Sequence, residues 1–355
     1  MNNKFWTGKR VFVTGHTGFK GSWLSLWLNS LGADVSGYAL SPPTQPSFFK
    51  VVGVDDDINS VIGDVRDLEN VKKIMKSEKP EIVFHLAAQP LVRYSYENPV
   101  DTYATNVMGT VNLLEAIRNV SSVRIVVIIT SDKCYENKEW DWGYRENDEM
   151  GGDDPYSNSK GCVELVTAAY RKSFFNDKSN VQLASARAGN VIGGGDWAVD
   201  RLIPDAVRAF TKKEKVMLRN PNSIRPWQHV LEPLHGYMLL AEKMWSGEKK
   251  YSSGWNFGPD YKDMKKVEWV ISSMVEQWQE GASWGIDKSS KPHEANILKL
   301  DCSKSMSELN WMPLLDIKES LNWTTDWYKN YYKNIQMKEL SLKQINDYQR
   351  GLDES

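Results

Sequence analysis

The sequence predicts an α/β protein in which a doubly wound parallel sheet is followed by a smaller, mixed α/β domain. Two features of the first half of the chain predict this fold class. Short segments that are apolar on both faces alternate with longer segments whose apolar residues recur at helical spacing. A glycine-rich turn also joins the first apolar segment to the first long amphipathic one, as expected where such a sheet begins.

Several of the predicted strands are apolar on both faces, as parallel strands are when helices cover both sides of the sheet. The predicted strands are Arg10–Thr14, Asp34–Leu40, Ile58–Gly63, Glu81–Ala88, Val123–Thr130 and Val181–Arg187. Between them, apolar residues at helical spacing predict helices. These are a helix that contains Leu24 to Leu31, then Asp67–Ser77, Pro99–Asn119 and Pro155–Asn176. Strands that alternate with helices in this way predict βαβ units.

The pattern changes after about residue 190, where Gly193 to Gly195 form a flexible bend before shorter helical segments and tryptophan-rich stretches. We therefore predict a Rossmann-like domain over residues 1–190 and a second domain over residues 191–335. Residues 336–355 are charged and are predicted to form a C-terminal helix or tail. A segment near residues 222–260 is a candidate to return to the sheet of the first domain.

The composition is that of a globular protein and argues against several classes of function. The chain has 44 basic and 46 acidic residues, and its net charge of −2 does not point to nucleic acid or to a membrane surface. The longest aliphatic run, Ile125 to Ile129, is too short to cross a bilayer, and we expect no secretory leader. Three widely spaced cysteines fit a reducing cytoplasm, and five scattered histidines predict no structural metal.

The turn after the first predicted strand reads Thr14-Gly15-His16-Thr17-Gly18-Phe19-Lys20-Gly21. Glycines let the backbone approach a pyrophosphate, and the helix that begins here offers unpaired N–H groups and the positive end of its dipole. The spacing GxxGxxG in this position predicts a dinucleotide-binding turn, with an ordinary glycine-rich turn as the alternative. Asp64, at the end of the third predicted strand, is a candidate either for the adenine side of the cofactor or for a helix cap.

The residues after the second predicted strand do not separate NAD from NADP. Many NAD enzymes place a carboxylate there for the ribose hydroxyls, and NADP enzymes place an arginine near the 2′-phosphate. The stretch 38–43 reads YALSPP and contains neither group. The residues themselves therefore predict a nicotinamide dinucleotide and do not decide between NAD and NADP.

A tyrosine and a lysine lie four residues apart in the helix predicted after the fifth strand. Tyr156 and Lys160 then share one helix face, and a nearby cation favours the phenolate, so Tyr156 can accept a hydroxyl proton. Ser131 directly follows the fifth strand, at the carboxyl edge of the sheet where such folds bind ligands, and it can hydrogen-bond the reacting oxygen. These three residues predict oxidation of a secondary alcohol by a nicotinamide. A chance pair on an exposed helix is the alternative.

Two further ionisable residues, Asp132 and Lys133, directly follow Ser131. A simple alcohol dehydrogenase or an epimerase has no need of them. A dehydratase needs a base for the C–H next to the ketone and an acid for the departing hydroxyl. The pair therefore favours a dehydratase, with a salt bridge or a solvated loop start as the alternative.

With these motifs in place, the chain resembles the extended short-chain dehydrogenases, and within them the nucleotide-sugar 4,6-dehydratases, over nearly its whole length. The glycine turn and the YxxxK pair occur throughout that superfamily, whereas several longer runs are much narrower. These runs are TGHTGFKGSW (14–23), TSDKCYEN (130–137), RAGNVIGGGDW (187–197), RLIPD (201–205), IRPWQHV (224–230) and WNFG (255–258).

The resemblance implies NAD as cofactor and a nucleotide-linked hexose, CDP-glucose, as the small-molecule substrate. Tyr156, helped by Lys160 and Ser131, would take the proton of the 4-hydroxyl, and Asp132 would protonate the departing 6-hydroxyl. In the related dTDP-glucose enzymes a glutamate at the next position removes the C5 proton. Lys133 occupies that position here and is the candidate base, which it can be only in its neutral form.

The resemblance also implies which residues contact the cofactor and the substrate. In addition to Tyr156 and Lys160, the cofactor residues are Thr14, Gly15, His16, Gly18, Phe19, Lys20, Gly21, Asp64, Val65, Leu86, Ala87 and Ala88. Gln89 and Asn190 resemble sugar contacts of the family. Arg201, Arg219 and Arg225 are candidates for the diphosphate because a guanidinium binds phosphate in a bidentate manner, with surface salt bridges as the alternative.

The acidic and aromatic segment 135–154 resembles a flap over the sugar. The family's usual assembly implies a homodimer or a homotetramer, packed through the helices that begin near Pro99 and Pro155. Two other functions stay open: a nucleotide-sugar epimerase or reductase on the same fold, and a non-catalytic nucleotide-binding module. Asp132 and Lys133 argue against the first, and the intact set of Ser131, Tyr156 and Lys160 argues against the second.

Overall fold

The structure of the protein is a computed structural model that describes residues 3–287 and 297–354. In chain order the strands are β1 (Arg10–Thr14), β2 (Asp34–Ala39), β3 (Asn59–Ile62), β4 (Ile82–His85), β5 (Ile125–Ile129), β6 (Gln182–Ala188), β7 (Val191–Ile192), β8 (Lys215–Leu218), β9 (Ile224–Arg225), β10 (Gln228–His229), β11 (Gly254–Phe257), β12 (Lys265–Lys266) and β13 (Ser283–Ile286). The α-helices are α1 (Asn3–Trp6), α2 (Phe19–Ser30), α3 (Phe48–Val52), α4 (Leu68–Glu78), α5 (Val92–Glu97), α6 (Pro99–Tyr103), α7 (Gly109–Ile117), α8 (Pro155–Ser173), α9 (Leu202–Thr211), α10 (Leu231–Trp245), α11 (Val267–Trp278), α12 (Ile317–Tyr332) and α13 (Met337–Glu354).

The central sheet has seven strands in the order β3-β2-β1-β4-β5-β6-β11, and every neighbouring pair is parallel. The chain builds outward from β1 to β3, then crosses to β4 and builds in the other direction. The strand order therefore reverses between β1 and β4, and in such sheets ligands bind in the crevice outside the carboxyl ends of the strands at this point. The predicted fold class, a Rossmann-like doubly wound parallel sheet, is confirmed.

Side chains alternate across the sheet and pack against helices on each face. Val11 and Val13 of β1 belong to one core with α2 and α10, whereas Phe12 between them belongs to a second core with α4, α7 and α8. This alternation is the pleat of a strand buried on both faces. Helices α2 and α8 thus lie on opposite faces of the sheet, and both begin at its carboxyl edge.

The strands predicted from apolar runs correspond to β1 through β6, with one clear difference in length. The predicted strand Glu81–Ala88 ends in the structure at His85. Leu86 and Ala87 leave the sheet and turn toward β1, where their N–H groups donate to the carbonyl and to the side-chain oxygen of Thr14 at 3.1 and 3.2 Å. The apolar run continues from the strand into the loop that follows it, so the sequence could not mark the end of the strand.

The helix predicted over Pro99–Asn119 is interrupted. Between α6 and α7 the residues Ala104–Met108 form a π-helical turn. Asn106 lies in this turn and is buried, where its amide donates to the backbone carbonyl of Gln89 at 3.1 Å and to the hydroxyl of Ser159 at 2.8 Å. A π-turn inserts one residue into the helix and changes which side chain faces inward. Here it turns a polar side chain toward the loop after β4.

Residues 191–335 contribute two-stranded pairs, of which β7–β10 and β8–β13 are parallel and β9–β12 is antiparallel. Within residues 222–260, β11 pairs with β6 and α10 packs against the central sheet, so this segment returns to the seven-stranded sheet. Residues 337–354 form a helix that is packed against the core: Ile345 and Tyr348 are fully buried, and the Tyr348 hydroxyl donates to Glu232 at 2.7 Å. Domain boundaries at residues 190 and 335 stay a prediction.

Candidate active site

A cavity of about 360 Å³ opens at the carboxyl edge of the sheet, where the strand order reverses. Residues that follow four neighbouring strands line it. Phe19 and Lys20 follow β1, Leu86 and Ala88 follow β4, and the stretch from Ser131 to Lys133 follows β5. Asn190 follows β6 and closes the same wall. The cavity is therefore formed by the loops that leave the parallel strands.

The structure brings the five predicted catalytic residues together on the wall of this cavity; they are Ser131, Asp132, Lys133, Tyr156 and Lys160. Ser131 begins a single 3₁₀ turn over residues 132–134. Its Oγ accepts a hydrogen bond from the Lys133 N–H at 3.3 Å and donates to Asp132 Oδ1 at 2.9 Å. The turn therefore holds the hydroxyl and the carboxyl group side by side.

Tyr156 and Lys160 lie in the first turns of α8. Asp154 caps this helix by accepting from the Ser157 N–H at 2.9 Å, and a proline at the first helical position fixes its start. The Tyr156 N–H donates to the Ser95 hydroxyl at 3.1 Å, and the Lys160 ammonium lies 3.5 Å from the backbone carbonyl of Ile129. Both ends of the pair are thus anchored to neighbouring elements.

The protonation of Tyr156 differs from the sequence-based expectation. Lys160 was expected to lower the Tyr156 pKa, but burial dominates and raises it to about 12, while a hydrogen bond between the Ser131 and Tyr156 hydroxyls lowers it. Burial also lowers the pKa of Lys160 to about 8, against the nearby Cys134 and Glu164, which raise it. Without an added cation, the phenol therefore keeps its proton at neutral pH.

Asp132 is buried, and burial raises the pKa of its carboxyl group against the lowering influence of Lys133, Ser131 and Arg225. Its Oδ2 atom is buried and has no hydrogen-bond partner among residues 3–287 and 297–354. A buried carboxyl group with a raised pKa and a spare oxygen is suited to donate a proton. Lys133 is half-buried beside it and lines the cavity.

The glycine turn has the close packing that its spacing predicts. Gly15 has a φ of 75°, and a Cβ atom there would lie 2.6 Å from the Ala87 nitrogen, so only glycine fits. A Cβ atom on Gly21 would lie 2.1 Å from the Gly15 carbonyl oxygen. Gly18 precedes α2 and has no side chain to cap it, which leaves the first-turn N–H groups and the helix dipole for an anion. These features fit the pyrophosphate of a dinucleotide.

Two side chains of the predicted cofactor site hold the turn instead of lining the cavity. Thr14 Oγ1 lies 2.7 Å from His85 Nδ1, and the His16 Nε2 atom lies 2.7 Å from the Ser60 hydroxyl. The His16 ring packs over Gly37, where a Cβ atom would lie 2.3 Å from the ring. Burial lowers the pKa of His16 to about 4, so the ring is neutral at pH 7. A cofactor can meet these residues only through their backbone.

Asp64 and Val65 follow β3 at the far end of the sheet from the catalytic wall. The Asp64 carboxylate accepts hydrogen bonds from the Arg66 guanidinium at 2.6 to 3.0 Å, and these bonds lower its pKa against the effect of burial. The helix cap considered for Asp64 belongs to Asp67, which accepts from the Asn70 N–H at 3.0 Å. Val65, like Ala87, packs in the second core and does not line the cavity.

The three predicted arginines all line the cavity. Arg201 pairs with the buried Asp196 at 2.8 Å, which raises the Arg201 pKa further. Arg219 lies 3.5 Å from the Asp200 carboxylate. Arg225 is buried and donates to the neighbouring carbonyl of residue 224 at 2.9 Å. The cavity therefore has an arginine-rich region that complements a diphosphate.

Gln89 and Asn190, the predicted sugar contacts, differ in their placement. Asn190 lines the cavity, and its backbone carbonyl accepts from the Gln228 N–H at 3.0 Å. Gln89 does not reach the wall, because its carboxamide closes the loop after β4: it accepts from the Leu91 N–H at 2.6 Å and donates to Thr102 Oγ1 at 2.9 Å. The Gln89 carboxamide is thus held within this loop, and its contact with the sugar stays a prediction.

The segment 135–154 does not line the main cavity. Tyr135, Asn137 and Asp154 border an adjoining cavity of about 350 Å³, and Lys133 and Arg225 border both cavities. Asn256 of β11 holds the segment in place, because it accepts from the Tyr135 hydroxyl at 2.7 Å and donates to the Tyr144 carbonyl at 2.8 Å. The segment therefore packs beside the catalytic turn, and the predicted flap covers the adjoining space.

Sequence reasoning missed a buried ion pair next to the catalytic helix. Glu164 lies one turn beyond Lys160, and Arg187 ends β6 opposite it, with both side chains 4% exposed and 2.9 Å apart. The sequence did contain a signal, since Glu164 is four residues from Lys160 and shares its buried helix face. It also missed Asp196 and Asp200, the carboxylates that hold two of the arginines.

The chain matches a known protein family over most of its length. A sequence model of the GDP-mannose 4,6 dehydratase family matches residues 12–324. The chain belongs to this family. The family's placement among the extended short-chain dehydrogenases confirms the resemblance found in the motifs.

Individual relatives of the family differ in the sugar nucleotide that their names state. The chain is 56% identical over 352 residues to the CDP-glucose 4,6-dehydratase of Salmonella typhimurium strain LT2, which covers 98% of both chains. It is 23% identical over 346 residues to the human dTDP-D-glucose 4,6-dehydratase, covering 94% of both.

Solved structures of the same fold include both epimerases and dehydratases. The UDP-glucose 4-epimerase of Thermotoga maritima, solved with UDP-glucose, has a TM-score of 0.78 at 20% identity, covering 91% of this chain and 99% of the other. A double mutant of the dTDP-glucose 4,6-dehydratase of Streptomyces venezuelae, solved with NAD bound, has a TM-score of 0.78 at 21% identity, covering 90% and 96%. At these identities the similarity establishes the shared fold.

Membrane-spanning helices and metal-binding clusters can be assessed for the described ranges. Within residues 3–287 and 297–354, no helix combines the length and the apolar character needed to cross a membrane. The same residues contain no cluster of three or more histidine, cysteine or acidic side chains that could hold a metal ion.

Proposed function

We propose that the protein is an NAD-dependent hydro-lyase that converts CDP-D-glucose to CDP-4-keto-6-deoxy-D-glucose and water. The observation that carries this proposal is the position of Asp132, a buried carboxyl group with a raised pKa beside the Ser131 hydroxyl. An alcohol oxidation needs Ser131, Tyr156 and Lys160, whereas only an elimination needs this additional acid. The 56% identity to a CDP-glucose 4,6-dehydratase supports the same reaction and the cytidine nucleotide.

The residues present fit NAD. The glycine turn and the uncapped start of α2 would hold its pyrophosphate, and Leu86, Ala88, Tyr156 and Lys160 would surround its reacting end. When bound, NAD supplies the hydride acceptor for sugar C4 and the hydride donor for sugar C6, so that none is consumed.

In the first step, Tyr156 takes the proton of the sugar 4-hydroxyl, and Ser131 positions that oxygen through its hydrogen bond. The phenol must first lose its own proton, although burial raises its pKa to about 12. An additional positive charge would lower this pKa, and the oxidised nicotinamide would supply one next to Tyr156. The site would therefore be activated for proton removal when the oxidised cofactor is bound.

In the second step, the 4-ketone acidifies the hydrogen on C5. A base removes this proton while the C6–O bond breaks, and Asp132 gives its proton to the departing hydroxyl, which leaves as water. Lys133 lines the cavity next to Asp132 and is the candidate base. It must be neutral to act as a base.

The arginine-rich region would bind the nucleotide end of the substrate. Arg201, Arg219 and Arg225 lie on the same cavity as the catalytic turn, and two of them are held by carboxylates that fix their orientation. A diphosphate bound there would place the attached hexose toward Tyr156.

The test is to incubate the purified protein with CDP-, dTDP-, GDP- and UDP-glucose and to analyse each nucleotide product by mass spectrometry and NMR. We expect loss of one water from CDP-glucose and a carbonyl at C4. Conversion of another nucleotide would indicate a 4,6-dehydratase of different base preference. Formation of the C4 epimer without loss of water would indicate a 4-epimerase and overturn the dehydratase assignment.

We further propose a cytoplasmic homodimer or homotetramer that supplies deoxysugar biosynthesis, such as that of the lipopolysaccharide O-antigen. Cys134, Cys162 and Cys302 are free thiols, as in a reducing compartment. On the helices expected to form the interface, Val100 and Leu165 are 81% and 61% exposed, which suits contact with a second copy. Sedimentation of the purified protein tests the assembly, and a monomer at micromolar concentration would refute it.

A further inference from the structure

Three charged residues from separate parts of the chain meet at the rim of the main cavity: Arg93, Asp200 and Arg219. All three line the cavity, and their side chains are 43%, 38% and 23% exposed. Arg93 lies in α5 after β4, Asp200 precedes α9, and Arg219 follows β8. Asp200 pairs with both arginines. One carboxylate therefore links the loop after β4 to two segments from the second half of the chain.

The contacts that Asp200 makes with the two arginines differ in length. Asp200 Oδ1 accepts from Arg93 Nη1 at 3.0 Å, an ordinary hydrogen-bond distance. The same oxygen lies 3.5 Å from Arg219 Nη1, and Arg219 Nη2 donates to the Asp200 backbone carbonyl, also at 3.5 Å. These longer contacts are at the limit of hydrogen bonding. Asp200 is therefore held closely by Arg93 and weakly by Arg219.

The carboxylate beside Arg219 is easier to displace than the one beside Arg201. Arg201 is paired at 2.8 Å with Asp196, whose side chain is only 8% exposed. Separating a buried pair leaves a charge without its partner, which is strongly unfavourable. The pair of Asp200 and Arg219 lies at the rim, where water solvates both charges and an ion pair contributes little. Arg219 is therefore the arginine at which an incoming anion can take the place of a carboxylate.

We propose that the Asp200 carboxylate competes with the substrate diphosphate for Arg219, and that the diphosphate displaces it toward Arg93. This inference rests on the proposed binding of a nucleotide diphosphate at the arginine-rich region. Phosphate and carboxylate oxygens accept the same charge-assisted hydrogen bonds from a guanidinium, so they exclude one another at its N–H groups. Asp200 thus orients Arg219 and then yields it, while Arg93 keeps the displaced carboxylate neutralised. A ligand engages Arg219 only if its negative charge outcompetes that of Asp200.

This exchange gives opposite roles to two residues that form one ion pair. Without the Asp200 carboxylate, Arg219 has no competitor for the diphosphate, so a nucleoside diphosphate should bind more tightly. Without Arg93, the displaced carboxylate of Asp200 loses its second partner, so the same ligand should bind more weakly. When both side chains are replaced, no displaced carboxylate remains for Arg93 to hold. The effect of replacing Arg93 should therefore depend on the presence of Asp200.

The test measures the dissociation constant of CDP on the NAD-loaded protein by isothermal titration calorimetry at low ionic strength. Asp200→Asn should lower this constant about three- to fivefold, and Arg93→Met should raise it by a similar factor. The double variant should bind CDP as Asp200→Asn does. Asparagine keeps the shape of the side chain and tolerates the left-handed φ of 61° at this position. Asp200→Gly, which also suits that backbone, is the second variant if Asp200→Asn does not fold.

Two controls separate the exchange from a general change in charge. Glu248→Gln removes one negative charge from an exposed pair with Lys250 that does not line the cavity, and it should leave CDP binding unchanged. Uncharged cytidine should bind to Asp200→Asn and to the wild type with equal affinity.

Unchanged or weaker CDP binding by Asp200→Asn would overturn the inference, because Asp200 would then only orient Arg219. Equal weakening by Arg93→Met with and without Asp200 would also overturn it and make Arg93 a phosphate contact. No hexose is present and nothing turns over in this experiment, so failure to dehydrate CDP-glucose leaves the inference intact. Failure of the wild type to bind CDP would end both proposals.

Discussion

The Glu164 carboxylate accepts two hydrogen bonds from the Arg187 guanidinium, each at 2.9 Å, inside the core. Glu164 also accepts from the hydroxyls of Thr130 at 2.5 Å and Ser185 at 2.6 Å. One side chain of α8 is thus bound to the ends of β5 and β6. Because Lys160 precedes Glu164 by one turn and Ser131 follows Thr130, this pair fixes the distance between the two halves of the catalytic group.

Arg187→Met should lower the free energy of unfolding by about 3–5 kcal/mol, because it leaves Glu164 charged and buried without its partner. Urea denaturation followed by tryptophan fluorescence measures this loss. The exposed pair of Lys343 and Asp347 provides a matched control, and Lys343→Met should cost less than about 1 kcal/mol. Similar losses in the two variants would show that the buried pair has no special role.

Tyr156→Phe should reduce turnover of CDP-glucose by about 10²- to 10⁴-fold, because it removes the proton acceptor and little else. Affinity for NAD should remain nearly that of the wild type, since the phenyl ring keeps its packing in the cavity wall. Stopped-flow turnover and cofactor titration on the same preparation check both statements. A variant with near-normal turnover would exclude Tyr156 from proton transfer.

Gly18→Val should raise the dissociation constant of NAD by at least about tenfold while the fold is preserved. Gly18 has a φ of −80°, which valine can adopt, and a Cβ atom there meets only the Gly15 carbonyl oxygen at 3.3 Å. Gly15→Val is the contrasting variant, because its positive φ and its contact with Ala87 should lower the melting temperature. Wild-type NAD affinity in a folded Gly18→Val protein would make the turn purely structural.

Asp132→Asn should block elimination and leave oxidation at C4 intact, because an amide cannot donate a proton to the departing hydroxyl. NADH absorbance should then accumulate on addition of CDP-glucose without the 4-keto-6-deoxy product. In the wild type, burial raises the Asp132 pKa, so elimination should slow as the pH rises through that value and the acid is lost. Normal product formation by Asp132→Asn would assign the proton to another donor.

Lys133→Met should stop the exchange of the C5 hydrogen with deuterated solvent if Lys133 is the base. Lys133→Arg should not restore it, because guanidinium stays protonated at any accessible pH. Proton NMR of the recovered nucleotide sugar measures the exchange, with Lys138→Met as a control for a lysine that borders only the adjoining cavity. Exchange at the wild-type rate in Lys133→Met would show that another group removes the C5 proton, while the role of Asp132 as the acid would be unaffected.

Local sequence patterns were sufficient to predict most strands of the central sheet and to identify the candidate catalytic residues. A buried parallel strand must be apolar on both faces, which is why β1 through β6 could be located. The spacing of Tyr156 and Lys160 fixes them on one helix face, and the position of Ser131 after a strand fixes it at the carboxyl edge. These relationships extend over a few residues, and local geometry determines them.

Contacts between distant residues and the environment they create were decided by the tertiary structure. The carboxamide of Gln89 faces the sugar or closes a loop depending on where Leu91 and Thr102 lie, which no local pattern states. The Tyr156 pKa was expected to fall because a lysine is near, yet it rises because burial outweighs the lowering influences of the Ser131 hydroxyl and of Arg201. The sequence by itself determined which side chains reach the carboxyl edge; only packing determined how much water and how many charges surround them there, and this sets their chemistry.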